Sequence, residues 1–208
     1  LDGVATNTGV FDTGITSDNI TFKEGGTNFT NSLLVGTDST GTLNDATRNT
    51  GVGQGVFAAL TSGDNNVAVG ANALTSITTG SENVAIGRNA MEKNVSGANN
   101  SAVGVRALGC NTTGSSNSAV GFESLCANTT AANNTAVGIC SLKANTTGAG
   151  NTAVGKGALD SNTTGSTSVA VGCDALCANT TANNNIAVGC GALKSNTTAT
   201  TNTAVGHL

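Results

Sequence analysis

The sequence predicts an all-β chain, a parallel β-solenoid with one coil per seventeen residues. Three observations carry that prediction. Glycine recurs at 53, 70, 87, 104, 121, 138, 155, 172, 189 and 206, always seventeen apart. Each of these glycines follows Val or Ile, from Val52 through Ile86 to Val205. The composition suits a ladder of small residues better than a globular core: 29 Gly, five Phe, one Met, no Trp and no Tyr in 208 residues.

Residues 1–31 stand outside the repeat and hold Phe11, Phe22 and Phe29, so they read as a β-rich N-terminal cap or junction. Residues 32–48 read as a degenerate first coil, because Leu33-Leu34-Val35-Gly36 sets Gly36 seventeen residues before Gly53. Nine complete units follow from Asn49 to Thr201, and a tenth runs from Asn202 to Leu208, so the solenoid is assigned to 32–208. The consensus is N-T/V-A-V-G-x-x-A-L-x-x-N-T-T-G-x-x. Positions 2 to 4 form a short β-branched run ended by glycine, which reads as a strand. A second short segment centres on Ala-Leu at positions 8 and 9 and closes on the turn formers Asn-Thr-Thr-Gly. A helix would need ten or more residues between breakers, and no unit supplies them. Parallel coils stacked about 4.8 Å apart would set like residues above one another as ladders. The position-5 glycine is read as architectural, either a corner of positive φ or a strand end where a Cβ would strike the next coil. The chain has no GxxxxGK followed by Ser or Thr and no GxGxxG ahead of a helix, so a phosphate loop is not indicated.

Alternation sends positions 2 and 4 one way and position 3 the other. If positions 2 and 4 face into the coil, the Ala column at position 3 faces outward, where its small size implies close approach of a second subunit. Each coil also offers only two reliably large apolar side chains against seventeen residues to order. The chain is therefore expected to be an intimate homo-oligomer. The strand-like Asn202-Thr-Ala-Val-Gly206 near the end adds the expectation of head-to-tail stacking into a filament. The first residue is Leu1, which suggests a processed product or a piece of a longer chain.

Charged residues are 10% of the chain and the net charge is −4 with eight Lys plus Arg, which gives no basic patch for nucleic acid. No apolar run approaches membrane-spanning length, so no membrane insertion is expected. The repeated columns hold no carboxylate pair and no nucleophile–base set, and the single His207 builds no triad, so no enzyme and no cofactor are expected. Calcium binding of the nonapeptide type lacks its Gly-Gly-x-Gly-x-Asp pattern.

Six cysteines lie between 110 and 190. Cys173 and Cys190 share position 6 on adjacent coils, with Cα atoms about 5 Å apart and within disulfide reach. Cys110 and Cys126, sixteen apart, form a second candidate pair. Cys140 and Cys177 sit at positions 7 and 10 and would cross between chains or stay free. The bland alternative is that Cys stands in for a small ladder residue. Zinc lacks a second Cys pair or a His at metal spacing. Eleven N-x-S/T sequons occur, at Asn19, Asn28, Asn94, Asn99, Asn111, Asn128, Asn133, Asn145, Asn162, Asn179 and Asn196. Six of them, Asn111, Asn128, Asn145, Asn162, Asn179 and Asn196, belong to the Asn-Thr-Thr turn on one edge. That motif makes a good turn by itself; in a secretory or viral glycosylating setting the edge would carry sugar.

The runs N-V-A-I-G at 83–87, N-S-A-V-G at 117–121 and N-T-A-V-G at 151–155 resemble the head repeat of YadA-type trimeric adhesins. The wider array of N-T-A-V-G, A-L and N-T-T-G resembles fibre proteins of bacteriophages and large algal viruses. The resemblance covers about 32–208, although the unit is longer than that of the adhesin heads. It implies a β-roll with three chains side by side, hence a homotrimer, and a role as the structural or adhesive subunit of an extracellular, cell-surface or virion fibre that meets host or neighbouring surfaces and their glycans. A bacterial trimeric adhesin head is the near alternative. An ice-binding solenoid is the alternative of another class: the Thr columns at positions 13 and 14 would repeat about every 4.8 Å, but adjacent Thr residues point to opposite faces. Specific recognition is expected in an end domain or at the variable positions 6, 7 and 10.

Overall fold

The computed structural model describes residues 21–26, 29–36 and 41–207, and no helix occurs among them. Residues 1–20, with Phe11 and Asn19, lie outside the described residues, as do Asn28 and 37–40 of the first coil. The strands are β1 (Thr21–Gly26), β2 (Phe29–Gly36) and β3 (Ala46–Thr47), then β4 to β13 of three residues each. These last are Thr50–Val52, Val67–Val69, Val84–Ile86, Ser101–Val103, Ser118–Val120, Thr135–Val137, Thr152–Val154, Val169–Val171, Ile186–Val188 and Thr203–Val205.

All thirteen strands form one sheet in the order β1-β2-β4 and onward to β13, with β3 pairing β2 beside that path. Every pair except β1–β2 is parallel with a register of seventeen residues, as in Ala102 opposite Ala119 and Ala119 opposite Ala136. The chain is thus a parallel β-solenoid of seventeen-residue coils, as its periodicity predicts. β1 lies antiparallel on β2, with Thr21 opposite Gly36, and forms the edge of the sheet there. The division at residue 31 falls inside β2. Leu33 already pairs with Thr50 and Leu34 with Gly51, so the coil of 32–48 is in phase with those after it.

The strand faces are the reverse of the expectation. Ala68, Ala85, Ala102, Ala119, Ala136, Ala153, Ala170 and Ala187 of position 3 are fully buried, whereas the Val and Ile of position 4 lie outside, most at 36% to 43% exposure. The cross-section explains the inversion. The coils also send inward a residue of position 8, the large residue of position 9, and the residues of positions 1 and 12, which are asparagine in most coils. That interior has room for a methyl at position 3 but not for two β-branched side chains. The hydrophobic core is a column of Leu and paired Ala, widened near the start by Leu34, Val56, Phe57, Leu60 and Ile77. Gly51 makes space there, since a Cβ on it would meet Leu34 Cδ1 and Val56 Cγ1 at 2.8 Å.

The Ala-Leu segment is a run of turns and forms no strand. Residues of positions 7 and 9 take left-handed backbone angles while position 8 does not, as at Arg106 (φ 60°) and Leu108 (φ 52°). The alternation points successive amides along opposite directions of the stack. Arg106 N–H donates back to the Arg88 carbonyl at 3.0 Å, and Leu108 N–H donates forward to Ser124 at 3.0 Å. Left-handed Leu costs about 1–2 kcal/mol; its full burial and the paired amides offset that cost. Both reasons given for the position-5 glycine hold together. Gly121 has φ 134°, and a Cβ there would lie 2.5 Å from the Gly138 carbonyl oxygen of the next coil.

Two ladders of buried amides flank the apolar column. In the position-1 ladder Asn83 Oδ1 accepts from the Asn100 backbone N–H at 3.0 Å and from Asn100 Nδ2 at 3.1 Å. In the position-12 ladder Asn111 Nδ2 donates to Asn94 Oδ1 at 2.9 Å. Both ladders converge on the carbonyl of position 15: Gly114 O accepts from Asn100 Nδ2 and from Asn111 Nδ2, each at 2.9 Å. Buried amides are tolerable only when satisfied, and no buried side-chain N or O among the described residues lacks a partner.

Candidate functional site

Two surfaces arise from this packing, and neither is a closed pocket. The first is the outer face of the sheet. Positions 2 and 4 of every strand from β4 to β13 carry only Thr, Ser, Val or Ile, so these two columns hold no charge over ten coils. Its centre is broadened by position 6, where Phe122 is 48% and Ile139 52% exposed beside Val120 and Val137. A single exposed Val needs no explanation, but a continuous apolar rank does.

The second surface is the edge turned by positions 6, 7, 10 and 11. From residue 83 to 207 every charged side chain and every cysteine stands in one of these four columns. The reason is local: these positions lie on the left-handed turns, outside the amide ladders, and are free to vary. Along this edge Glu123 bridges two coils, bonding Arg106 Nη1 at 3.1 Å and Lys143 Nζ at 2.9 Å. The hydrogen bond from Lys143 holds the Glu123 carboxyl below the usual carboxylate range, against a smaller opposing effect of burial. Further along, Lys194 bonds Asp174 at 3.2 Å. Burial pushes the Asp160 carboxyl upward. Arg106, Glu123, Lys143 and Asp160 line an open groove of about 650 Å³ with Cys110 and Cys126 in its wall. A smaller groove of about 280 Å³ continues it toward Arg88 and Lys93, sharing Arg106 and Cys110. The edge was visible in the sequence as variable columns, but the ion pairs were missed. Their signal is opposite charge seventeen or twenty residues apart, as in Arg106/Glu123, Glu123/Lys143 and Asp174/Lys194.

Of the two readings of the Asn-Thr-Thr asparagines, the packing favours the turn. Asn111, Asn128, Asn145, Asn162 and Asn179 are fully buried. In each, Nδ2 donates both to the preceding ladder asparagine and to a carbonyl three residues on, as Asn145 does at 3.1 and 2.9 Å. A glycan on Nδ2 has no room and would break the ladder, so in the folded coil these asparagines serve the turn. Asn196 makes the same two bonds at 3.3 and 2.9 Å and is partly exposed. The position-13 threonines are turned back on the stack, as Thr112 Oγ1 donates to the Thr129 carbonyl at 3.0 Å. Only the position-14 column, including Thr113, Thr130 and Thr147, is left exposed.

The six cysteines are free thiols in this structure. Cys173 and Cys190 are exposed on adjacent coils, and Gly191 N–H donates to the Cys173 carbonyl at 2.9 Å. Cys110 N–H donates to the Cys126 carbonyl at 3.0 Å, so this pair also occupies neighbouring levels. Burial pushes the Cys126 and Cys177 thiols up. Among the described residues no three His, Cys, Asp or Glu side chains are grouped closely enough to hold a metal ion, and no helix is long and apolar enough to cross a membrane. No known protein family, curated protein or solved structure matches the chain.

Proposed function

We propose that the chain is a structural and adhesive subunit of an extracellular, cell-surface or virion fibre, assembled from side-by-side copies as a homotrimer. The observation that carries this reading is the uncharged Val/Ile rank on the outer face of the sheet. Twelve of its large apolar side chains, including Val103, Val120, Phe122, Val137, Ile139 and Ile186, are each 36% or more exposed. Together they offer on the order of 800 Å² of apolar surface, about what a standard interface takes from each partner. The rank repeats at the coil spacing, which a second copy of the same solenoid matches level by level. The Ala column is buried inside the coil, so the close approach of a second copy falls to position 4. The resemblance to adhesin heads and viral fibres points the same way, and no turnover is assigned to the chain.

Sedimentation of Val120→Glu and Val137→Glu tests the reading. Each should remain folded by circular dichroism yet shift the assembly to monomers. A wild-type chain that sediments as a monomer at micromolar concentration would reject the assembly, and imaging of the native particle decides between virion, cell surface and free filament.

A further inference from the structure

We infer that the edge formed by positions 6, 7, 10 and 11 is a binding groove for an acidic oligosaccharide, with the sugar's anionic group held at Arg88, Lys93 and Arg106. This names the ligand class for the adhesive reading and rests on it for biological meaning, and its grooves share only the position-6 column with the apolar face. Three of the chain's eight Lys plus Arg converge on the small groove of about 280 Å³, drawn from two adjacent coils of a protein whose net charge is −4. Among the described residues Arg88 and Lys93 take part in no ion pair, so their charges are available to a ligand; Arg106 is shared with Glu123. Glu92 also lines this groove and leaves the cations in excess. Gly109 lines the same groove, at position 10, where neighbouring coils carry Glu92 and Cys126; with no side chain there, the wall is lowered between the cations. Arginine and lysine in such a recess suit a carboxylate or sulfate, arginine through its planar fork.

The groove does not end there. Across Arg106 and Cys110 it opens into the larger groove of about 650 Å³, whose wall carries Glu123, Lys143 and Asp160 beside the small Ala127 and Ala144. A long open channel with cations at one end and carboxylates farther on fits a ligand that is anionic at one point and rich in hydroxyl donors along its length. That is the chemistry of a uronic or sulfated sugar chain. The groove also sits in the columns free to vary without harm to the fold, where recognition can be tuned coil by coil. Its repetition along a fibre would multiply weak single-site binding.

The test uses the intact chain and titration calorimetry with three probes: a uronic-acid oligosaccharide, the same oligosaccharide with its carboxylates reduced to alcohols, and inorganic sulfate. The acidic oligosaccharide should bind at least tenfold more tightly than the reduced one, with affinity falling as salt rises. Arg88→Gln with Lys93→Gln should weaken it tenfold or more at unchanged thermal stability, while Arg48→Gln, an exposed cation outside those four columns, should leave it unchanged. Equal binding of acidic and reduced probes, equal loss in the Arg48 variant, or no binding at millimolar probe would overturn the inference. Sulfate alone binding as tightly as the oligosaccharide would overturn the saccharide assignment in favour of a simple anion site. Failure here would leave the fibre reading intact, which is decided by sedimentation and imaging; sugar binding by a strictly monomeric chain would do the reverse.

Discussion

Asparagine 1 of each coil shows how much one residue carries, and Ser168 shows what its absence costs. Ser168 continues the backbone part of the ladder, accepting from Asn185 N–H at 3.2 Å and donating its own N–H to Asn151 at 3.0 Å. It has no amide to reach the position-15 carbonyl, as Asn151 does at 2.8 Å. Ser168→Asn should therefore restore a bond seen in neighbouring coils and stabilise the chain by about 1 kcal/mol, read as a raised unfolding midpoint. A lowered midpoint would mean that the ladder geometry at this level differs from its neighbours. For the cysteines, exposure separates the pairs. Cys173 and Cys190 are open to solvent while Cys126 is buried, so mild oxidation should bridge 173–190 before 110–126. Mass spectrometry of non-reduced peptides reads the order, and the reverse order would count against it.

At the scale of one coil, the three-residue strand and its glycine set the limits. Ala119 is fully buried and Val120 is 43% exposed, one residue apart on opposite faces. Ala119→Glu forces a carboxylate into a column of Leu and Ala and should unfold the chain, with loss of about 3 kcal/mol or more, whereas Val120→Glu only alters the outer face. Gly121→Ala combines a forbidden φ with contact against the next coil and should cost on the order of 3 kcal/mol. Chemical denaturation of the variants compares them directly. A folded Ala119→Glu chain would mean that the strand faces are assigned the wrong way round.

Across the whole molecule, electrostatics contributes little to stability. The ion pairs lie on the solvated edge, where such pairs contribute little, and the ladders that hold the coils together do not titrate. The Glu123 carboxyl has its folded pKa lowered, so its contribution is present above the ordinary carboxylate range and is lost as pH falls through the lowered value. Lys143 and Lys194 are raised by their carboxylate partners, so theirs is present below the ordinary lysine range and is lost as pH rises through the raised values. Asp160 runs against Glu123, because burial raises it and ionisation there works against folding. The midpoint of thermal unfolding should therefore be nearly flat between about pH 6 and 8, with a shallow acid decline that Glu123→Gln reduces. A decline should also set in above about pH 8, where the Cys126 and Cys177 thiols, raised by burial, ionise more readily in the unfolded chain. A steep change near pH 7 would point to titrating groups other than these.

The period, the strand at positions 2 to 4, the turn at Asn-Thr-Thr-Gly and the role of the position-5 glycine were legible because each depends on local backbone chemistry repeated in register. A glycine every seventeen residues leaves few ways to stack a chain. The variable columns were legible too, as the places where the repeat relaxes. What only the tertiary structure decided is which way each column faces. Alternation says that Ala119 and Val120 point apart, but the direction depends on the room inside the coil, and that room is taken by Leu125 and by two asparagine ladders whose side chains turn inward. An Asn-Thr-Thr turn looks the same in sequence whether its amide faces water or a stack of other amides. Only closing the coil brings Asn100 and Asn111 to the one carbonyl of Gly114, and that closure buries the amides, turns the valines out and brings the charged columns together on one edge.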